Sequence, residues 1–286
     1  MNDFATTGIT NKDGKHVFNS HMPITFRVCT LNAGNFAYGA DGTAIGDDAM
    51  YNKFLDTFRQ CNADVYMFCE WDKNWNENEL SSDVFSFLKP YHSSYYGEEN
   101  ERWYCQMIYS PVPIKLEYYQ HYSVTDRCYF IDDVLNIHGV DVHFISTHIF
   151  PGVEETAKQQ MREVMEYASN KEYYVVAGDM NIGTHENELQ DETTEKKRRI
   201  ALEEIAILES HDGQSAQGSG WGLRGQDNLF CTAGRFGYAF PDNLVKHYLP
   251  YDNIVISNNL RFKNLLVIPS YATDHDAVVA DIEILI

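Results

Sequence analysis

Apolar and polar residues alternate over Ile24–Leu31, a stretch rich in β-branched side chains, which predicts a strand running into the turn-forming Asn32-Ala33-Gly34-Asn35. Asp47 and Asp48 then cap a helix whose apolar positions Met50, Phe54, Leu55 and Phe58 fall at helical spacing. Asp64–Cys69 reads as a second strand, ending at Glu70-Trp71. Further strands are predicted at Tyr104–Tyr109, Tyr129–Val134, Val142–Ser146 and Tyr173–Ala177. Between the last two, Ala157, Met161, Val164, Met165 and Ala168 share one face of an amphipathic helix. Glu186 to Leu208 reads as another helix, strongly charged along its first half. Asp212 to Pro250 is rich in Gly and turn residues and resists assignment. Strands close the chain at Asp252–Ser257, Leu265–Ile268 and Ala277–Ile284.

Strands outnumber helices, and several successive strands have no helix between them. That pattern favours packed mixed sheets with helices outside over a simple doubly wound sheet, and an α/β class over all-β. Residues 1–22 are polar and aperiodic, a tail or a loosely paired edge. No linker or internal repeat divides residues 23–286, so a single domain is expected there.

Composition narrows the class. With 286 residues, 44% hydrophobic, the chain can bury a large core without disulfides or a structural metal. The six cysteines are scattered with no Cys-x-x-Cys pair, several within apolar strand-like runs. Buried reduced thiols account for this, and with no secretory signal pattern the expected location is cytoplasmic. No apolar run is long enough to suggest a membrane span. The formal charge of −20 argues against a basic stripe that grips long nucleic acid through its phosphates. Phosphate chemistry stays open, because bound divalent cations invert the local field at a carboxylate-lined site.

Polar residues recur where apolar strands end. Asn32 follows the first strand, Glu70 the second, His148 the strand through Ser146, and Asp179 and Asn181 the strand through Ala177. Asp252 opens a late strand, and Asp274 and His275 precede the last one. Any one such residue is unremarked turn chemistry. Carboxylates, amides and two imidazoles at six strand ends point to a ligand site at one sheet edge.

Thr30-Leu31-Asn32, Phe68-Cys69-Glu70, Ser146-Thr147-His148, Ala177-Gly178-Asp179-Met180-Asn181, Tyr251-Asp252-Asn253-Ile254-Val255 and Thr273-Asp274-His275 occur in that order. Together they resemble the successive motifs of the endonuclease/exonuclease/phosphatase superfamily, the deoxyribonuclease-I-like and exonuclease-III-like proteins. The resemblance implies a four-layer α/β sandwich, two packed mixed β-sheets flanked by helices, with the site at one edge. It implies a metal site for Mg²⁺ or Mn²⁺ at Glu70, supported by Asn32 and Asp274. It implies His275 as base for the attacking water with Asp252 as its partner, and Asp179 and Asn181 orienting water and phosphoryl oxygen. His148 is then a donor to a phosphate oxygen.

The sequence also departs from the family pattern. Thr273 replaces a common Ser, Asp276 follows the histidine, Cys69 and Trp71 flank Glu70, and Asn253 stands where Tyr is frequent. The remaining histidines match no motif position, and alternation sets His143 on the opposite face of its strand. Trp71, Trp75, Tyr95, Tyr96 and Trp103 are candidates to stack on a base or to cap the sheet edge. Arg224, Arg235, Lys246 and His247 are candidates for a small phosphate grip. The implied activity is metal-dependent hydrolysis of a phosphodiester on a nucleic acid end, a single strand or a nucleotide. Alternatives are a phosphomonoesterase for a lipid headgroup or soluble phosphate, and a catalytically silent binding module.

Overall fold

The computed structural model describes residues 9–10, 16–17, 23–34, 48–71, 91–95, 106–110, 112–114, 116–124, 128–183, 194–217, 232, 250–270 and 272–285. The strands are β1 (Ile9–Thr10), β2 (His16–Val17), β3 (Ile24–Asn32), β4 (Val65–Cys69), β5 (Tyr91–Tyr95), β6 (Gln106–Ser110) and β7 (Leu116–His121). They continue with β8 (Tyr129–Ile137), β9 (Val140–His148), β10 (Tyr174–Asp179), β11 (Gln214–Ser215), β12 (Asp252–Ile256), β13 (Leu260–Ile268) and β14 (Ala277–Ile284). Three α-helices are described: α1 (Asp48–Cys61), α2 (Glu154–Ser169) and α3 (Thr194–Leu208). Within the first 22 residues, β1 and β2 pair antiparallel.

Two six-stranded sheets run in the orders β13-β14-β3-β4-β6-β5 and β11-β12-β10-β9-β8-β7. Each holds one parallel pair, β3–β4 and β9–β10. Those pairs are joined by α1 and α2, because parallel neighbours need a long crossover. All other neighbours in both sheets are antiparallel, so both sheets are mixed.

The period-2 geometry of strands sorts the apolar side chains into three cores. Phe26 and Val28 of β3, Val65 and Met67 of β4, Phe144 of β9, Val175 and Ala177 of β10 and Ile254 of β12 meet between the sheets. The alternate residues Cys29, Leu31, Tyr66 and Phe68 face outward, beneath Phe54 and Phe58 of α1. On the other outer face, Ile145, Val176 and Val255 lie beneath Ala157, Met161 and Val164 of α2 and Ala201, Ile205 and Leu208 of α3. The layers are therefore helix, sheet, sheet, helix. Central strands buried on both faces explain why their sequences read as near-continuous apolar runs.

The strand and helix predictions locate the right elements, with ends shifted by a few residues. Residues 101–105 and 184–193 lie outside the described set, so β6 is seen from Gln106 and α3 from Thr194. Prediction reached only the last four residues of β13. Before these, exposed Arg261 and Lys263 alternate with half-buried Phe262 and Asn264, with a register irregularity between Phe262 and Asn264. Strands β5, β7 and β11 escaped prediction. β7 is an edge strand with no buried residue, so no alternation marks it. No described helix is long and apolar enough to cross a membrane.

Candidate active site

The inward parity of four strands converges on one edge of the sandwich. Asn32 shares its face with Phe26 and Val28, His148 with Phe144, Asp179 with Val175 and Ala177, and Asp252 with Ile254. Register then sets neighbours side by side: His148 pairs with Asp179 across β9–β10, and Asp179 with Asp252 across β10–β12. On the other sheet, Asn32 pairs with Cys69, and Glu70 follows it.

Glu70 needs more than alternation. Strict period-2 geometry would send it to the outer face with Tyr66 and Phe68. Its φ of 52° lies in the left-handed region and turns it out of that alternation. Its Oε1 now accepts the Asn32 Nδ2 hydrogen at 3.0 Å, so the carboxylate stands in the cleft. Trp71, fully buried, stacks on Phe68 with centroids 4.9 Å apart and anchors the turn from outside.

Asn32 is oriented by its own neighbours. Gly34 N–H donates to Asn32 Oδ1 at 2.8 Å, which leaves Nδ2 for Glu70 Oε1 and for Asp179 Oδ2 at 2.9 Å. Thr273 Oγ1 donates to the Asn32 carbonyl at 3.0 Å, so threonine keeps the hydroxyl that a serine would bring. Asp179 is the hub. Its Oδ1 accepts the Asn181 N–H at 2.9 Å, and its Oδ2 lies 3.6 Å from His148 Nε2 and 3.7 Å from His275 Nε2. His275 Nδ1 meets Asp252 Oδ2 at 2.8 Å. Asp252 is held in turn by its N–H to Thr232 Oγ1 at 2.9 Å.

The Gly-Asp pair has a steric reason. Gly178 has φ +151°, and a Cβ there would stand 1.8 Å from the Thr147 carbonyl oxygen. Only glycine lets β9 and β10 approach this closely just before Asp179 and His148.

Electrostatics mark the cluster as short of positive charge. Burial pushes the Glu70 carboxyl up to about 8; the Asn32 hydrogen bond opposes this, while the Asp179 and Asp274 charges add to it. For His275, burial works against the proton, yet Asp252, Asp179 and Asp274 more than offset it, and the imidazole pKa stands well above its ordinary value. Burial raises the Cys69 thiol well above the usual range, with Asp179, Asp252 and Glu70 adding to the rise, so it is an inert wall of the site.

Among the described residues, two groups of side chains offer ligand atoms within 4.8 Å of one another: Glu70, His148 and Asp179, and Asp179, Asp252 and His275. Carboxylate oxygens with imidazole nitrogen at their rim, in a buried and electron-rich cleft, suit a hard divalent cation. Asp274 belongs to neither group, although its charge acts on both Glu70 and His275, and its carboxylate lies 3.3 Å from Thr273 Oγ1.

Other sequence candidates take different places. Trp71 is a core residue and has no face to offer a base. Trp75, Tyr96, Trp103, Arg224, Arg235, Lys246 and His247, and the side chain of Tyr95, lie outside the described residues. The Asp276 carboxylate accepts the Ser270 N–H at 3.2 Å and braces the segment entering β14. Asn253, on the outward parity, donates to Ser215 Oγ at 2.7 Å and ties β12 to β11. His143 bonds Asp132 at 2.8 Å on the face beneath α2, where Tyr167 O–H also donates to Asp132 at 2.7 Å. Cys29, Cys61, Cys69 and Cys128 are all buried. Sequence reading missed the supporting groups Thr232, Tyr122 (whose hydroxyl meets Thr147 Oγ1 at 2.5 Å) and Glu204, because long-range partners leave no local pattern.

Comparison with known proteins agrees with this fold. A crystal structure of an endonuclease/exonuclease/phosphatase protein from Beutenbergia cavernae superposes with a TM-score of 0.64 at 17% identity, covering 91% of this chain and 72% of that one. D. rerio TDP2 complexed with a single-strand DNA product gives 0.62 at 10% identity, covering 90% and 98%. ANGEL2, described as a 2′,3′-cyclic phosphatase, in complex with adenosine-2′,3′-vanadate gives 0.59 at 12% identity, covering 92% and 97%. At these identities the likeness is one of fold. No curated protein matches the sequence. The profile of the endonuclease/exonuclease/phosphatase family matches residues 29–275, from within β3 to the last predicted site residue, and the chain belongs to that family of phosphoric ester hydrolases.

Proposed function

We propose that this protein is a divalent-metal-dependent phosphodiesterase, cleaving a phosphodiester of a nucleic acid end, single strand or nucleotide by in-line attack of water. The observation that carries this reading is Asp179 Oδ2, within 3.7 Å of polar nitrogens from Asn32, His148 and His275, which come from three other strand ends. A buried carboxylate hub between two imidazoles fits a site that orients water against phosphorus.

Glu70 and Asp274, with Asn32 in support, are the residues that would hold Mg²⁺ or Mn²⁺, and Asp179 has a carboxylate oxygen close to that of Glu70. When bound, such a cation polarises a phosphoryl oxygen and offsets charge building on it. With the carboxylate charges that hold the His275 proton offset by a bound cation, and with Nδ1 fixed by Asp252, the neutral Nε2 would then take the proton of the attacking water. Asp179 and Asn181 orient that water, and His148 donates a hydrogen bond to a phosphoryl oxygen. The substrate class draws support from the similar folds solved with single-strand DNA product and with adenosine-2′,3′-vanadate. A net charge of −20 disfavours gripping a long duplex and favours a short or end-held substrate.

The test is hydrolysis by purified protein with Mg²⁺, Mn²⁺ or EDTA, beside Asp179→Ala. The panel pairs short single-stranded and duplex DNA, RNA and a cyclic nucleotide with a phosphoinositide and a soluble phosphomonoester. Cleavage of the diesters, lost in EDTA and in the variant, is expected. Turnover of the monoesters alone, or none beside intact Mn²⁺ binding, would overturn the diester assignment.

A further inference from the structure

Behind the turn that carries Asn181 stands a carboxylate with no part in the chemistry above. Glu204 lies on α3 and has no solvent-exposed surface. Charged groups are rarely left so deep without a bonded partner. Its Oε2 accepts the Gly183 N–H at 2.7 Å, a charge-assisted bond to the main chain. Gly183 has φ +71°, and a Cβ there would meet Ala201 Cβ at 3.3 Å and the Lys197 carbonyl oxygen at 3.4 Å. The turn is thus pressed against α3, with Glu204 bonding its main chain. α3 is itself tied to α2, through Lys158 Nζ to Glu203 Oε2 at 2.8 Å.

Two residues before Gly183, Asn181 adopts a left-handed φ of 48°. In that conformation its N–H reaches Asp179 Oδ1 at 2.9 Å, and its Nδ2 reaches the Ile149 carbonyl at 2.8 Å. Ile149 adjoins His148, and its own N–H donates to the Asp179 carbonyl at 2.9 Å. One turn therefore aligns the hub carboxylate with the strand end bearing His148, and Glu204 holds that turn at its far end.

We propose that Glu204 is a positioning residue for the phosphoester chemistry, acting through the Gly183 amide to fix Asn181 and Asp179. This rests on the phosphodiesterase reading for its kinetic consequence, but not for the contact itself. The left-handed turn is one of several conformations open to an Asn-Ile-Gly segment, and an acceptor fixed on a rigid helix selects it. Small displacements of groups that orient a nucleophile cost rate far more than they cost substrate binding.

The experiment compares full-length Glu204→Gln, Glu204→Asp and Glu204→Leu with wild type. It reads kcat and KM for bis(p-nitrophenyl) phosphate at saturating Mn²⁺, amide hydrogen exchange of residues 178–183, and thermal unfolding. Gln keeps an oxygen at the right reach and is expected to retain kcat within about threefold. Leu removes the acceptor and Asp withdraws it by one methylene. Both are expected to lose about 10- to 100-fold in kcat, with KM within about twofold and faster exchange in 178–183. If Leu fails to fold, Asp carries the comparison with Gln. Wild-type kcat or unchanged exchange in a folded Asp or Leu variant would overturn the proposal, as would a Gln variant as slow as Asp. Should wild-type protein hydrolyse nothing with metal present, the functional reading fails on its own. The exchange data then decide the clamp: loss of protection in Asp but not in Gln supports it, and equal protection sinks it.

Discussion

Asn32 and Asp179 lie on different sheets, 147 residues apart in sequence, and the Asn32 Nδ2 hydrogen closes the gap between them at 2.9 Å. The same amide holds Glu70 Oε1 at 3.0 Å, so one neutral side chain spaces two carboxylates that would otherwise repel. Asn32→Ala is expected to weaken Mn²⁺ binding about 10- to 100-fold and to lower kcat, since groups that orient ligands carry effects of that size. Isothermal titration of Mn²⁺ checks this; wild-type affinity in the variant would remove Asn32 from the site's scaffold.

The raised Glu70 carboxyl makes metal affinity and stability depend on pH. Its pKa in the folded, metal-free protein is about 8, above the ordinary carboxylate value, so folding favours the protonated form. The stability this contributes is complete below the unfolded pKa and is lost as pH rises through about 8. In EDTA, thermal stability should fall across that window more steeply for wild type than for Glu70→Gln. Because metal requires the carboxylate, binding should release a proton below pH 8 and tighten as pH rises. Parallel melting curves for the two proteins, or Mn²⁺ affinity constant between pH 6 and 9, would contradict this.

Asp252 is among the carboxylates that raise the His275 pKa, second only to the opposing effect of burial. Asp252→Asn should therefore lower that pKa and move the acid limb of the kcat/KM profile to lower pH. Its plateau should fall by several orders of magnitude, because the imidazole loses the partner that fixes its tautomer. An acid limb that stays in place would mean that another group sets it.

Gly178→Ala should destabilise the fold by about 3 kcal/mol or more, because the added methyl group meets the Thr147 carbonyl and the backbone conformation is strained for alanine. Urea unfolding measures this; a change under about 1 kcal/mol would mean that β9 and β10 can separate without cost.

The strands legible in the sequence were those buried on both faces. β3, β4, β9, β10, β12 and β14 show themselves because every second residue packs into one core and the rest into another. β7 has no buried residue, and in the first half of β13 exposed Arg261 and Lys263 break the apolar run. The candidate site was legible for the same reason: a polar residue at the inward parity of an apolar strand stands out, as Asn32, His148, Asp179 and Asp252 do. Glu70 also stands out, yet its orientation depends on a left-handed φ that no periodicity encodes. Glu204 was illegible, since a glutamate among Glu203, Ile205 and Ala206 reads as helix surface until Gly183 is brought to it.

The most direct measurement is metal-dependent hydrolysis of bis(p-nitrophenyl) phosphate by wild type and His275→Ala, each in Mg²⁺, Mn²⁺ and EDTA, with circular dichroism to confirm folding. The account predicts turnover by wild type only when metal is present, and loss of about a thousandfold or more in the folded variant. Turnover in EDTA, or a folded His275→Ala as fast as wild type, would contradict it.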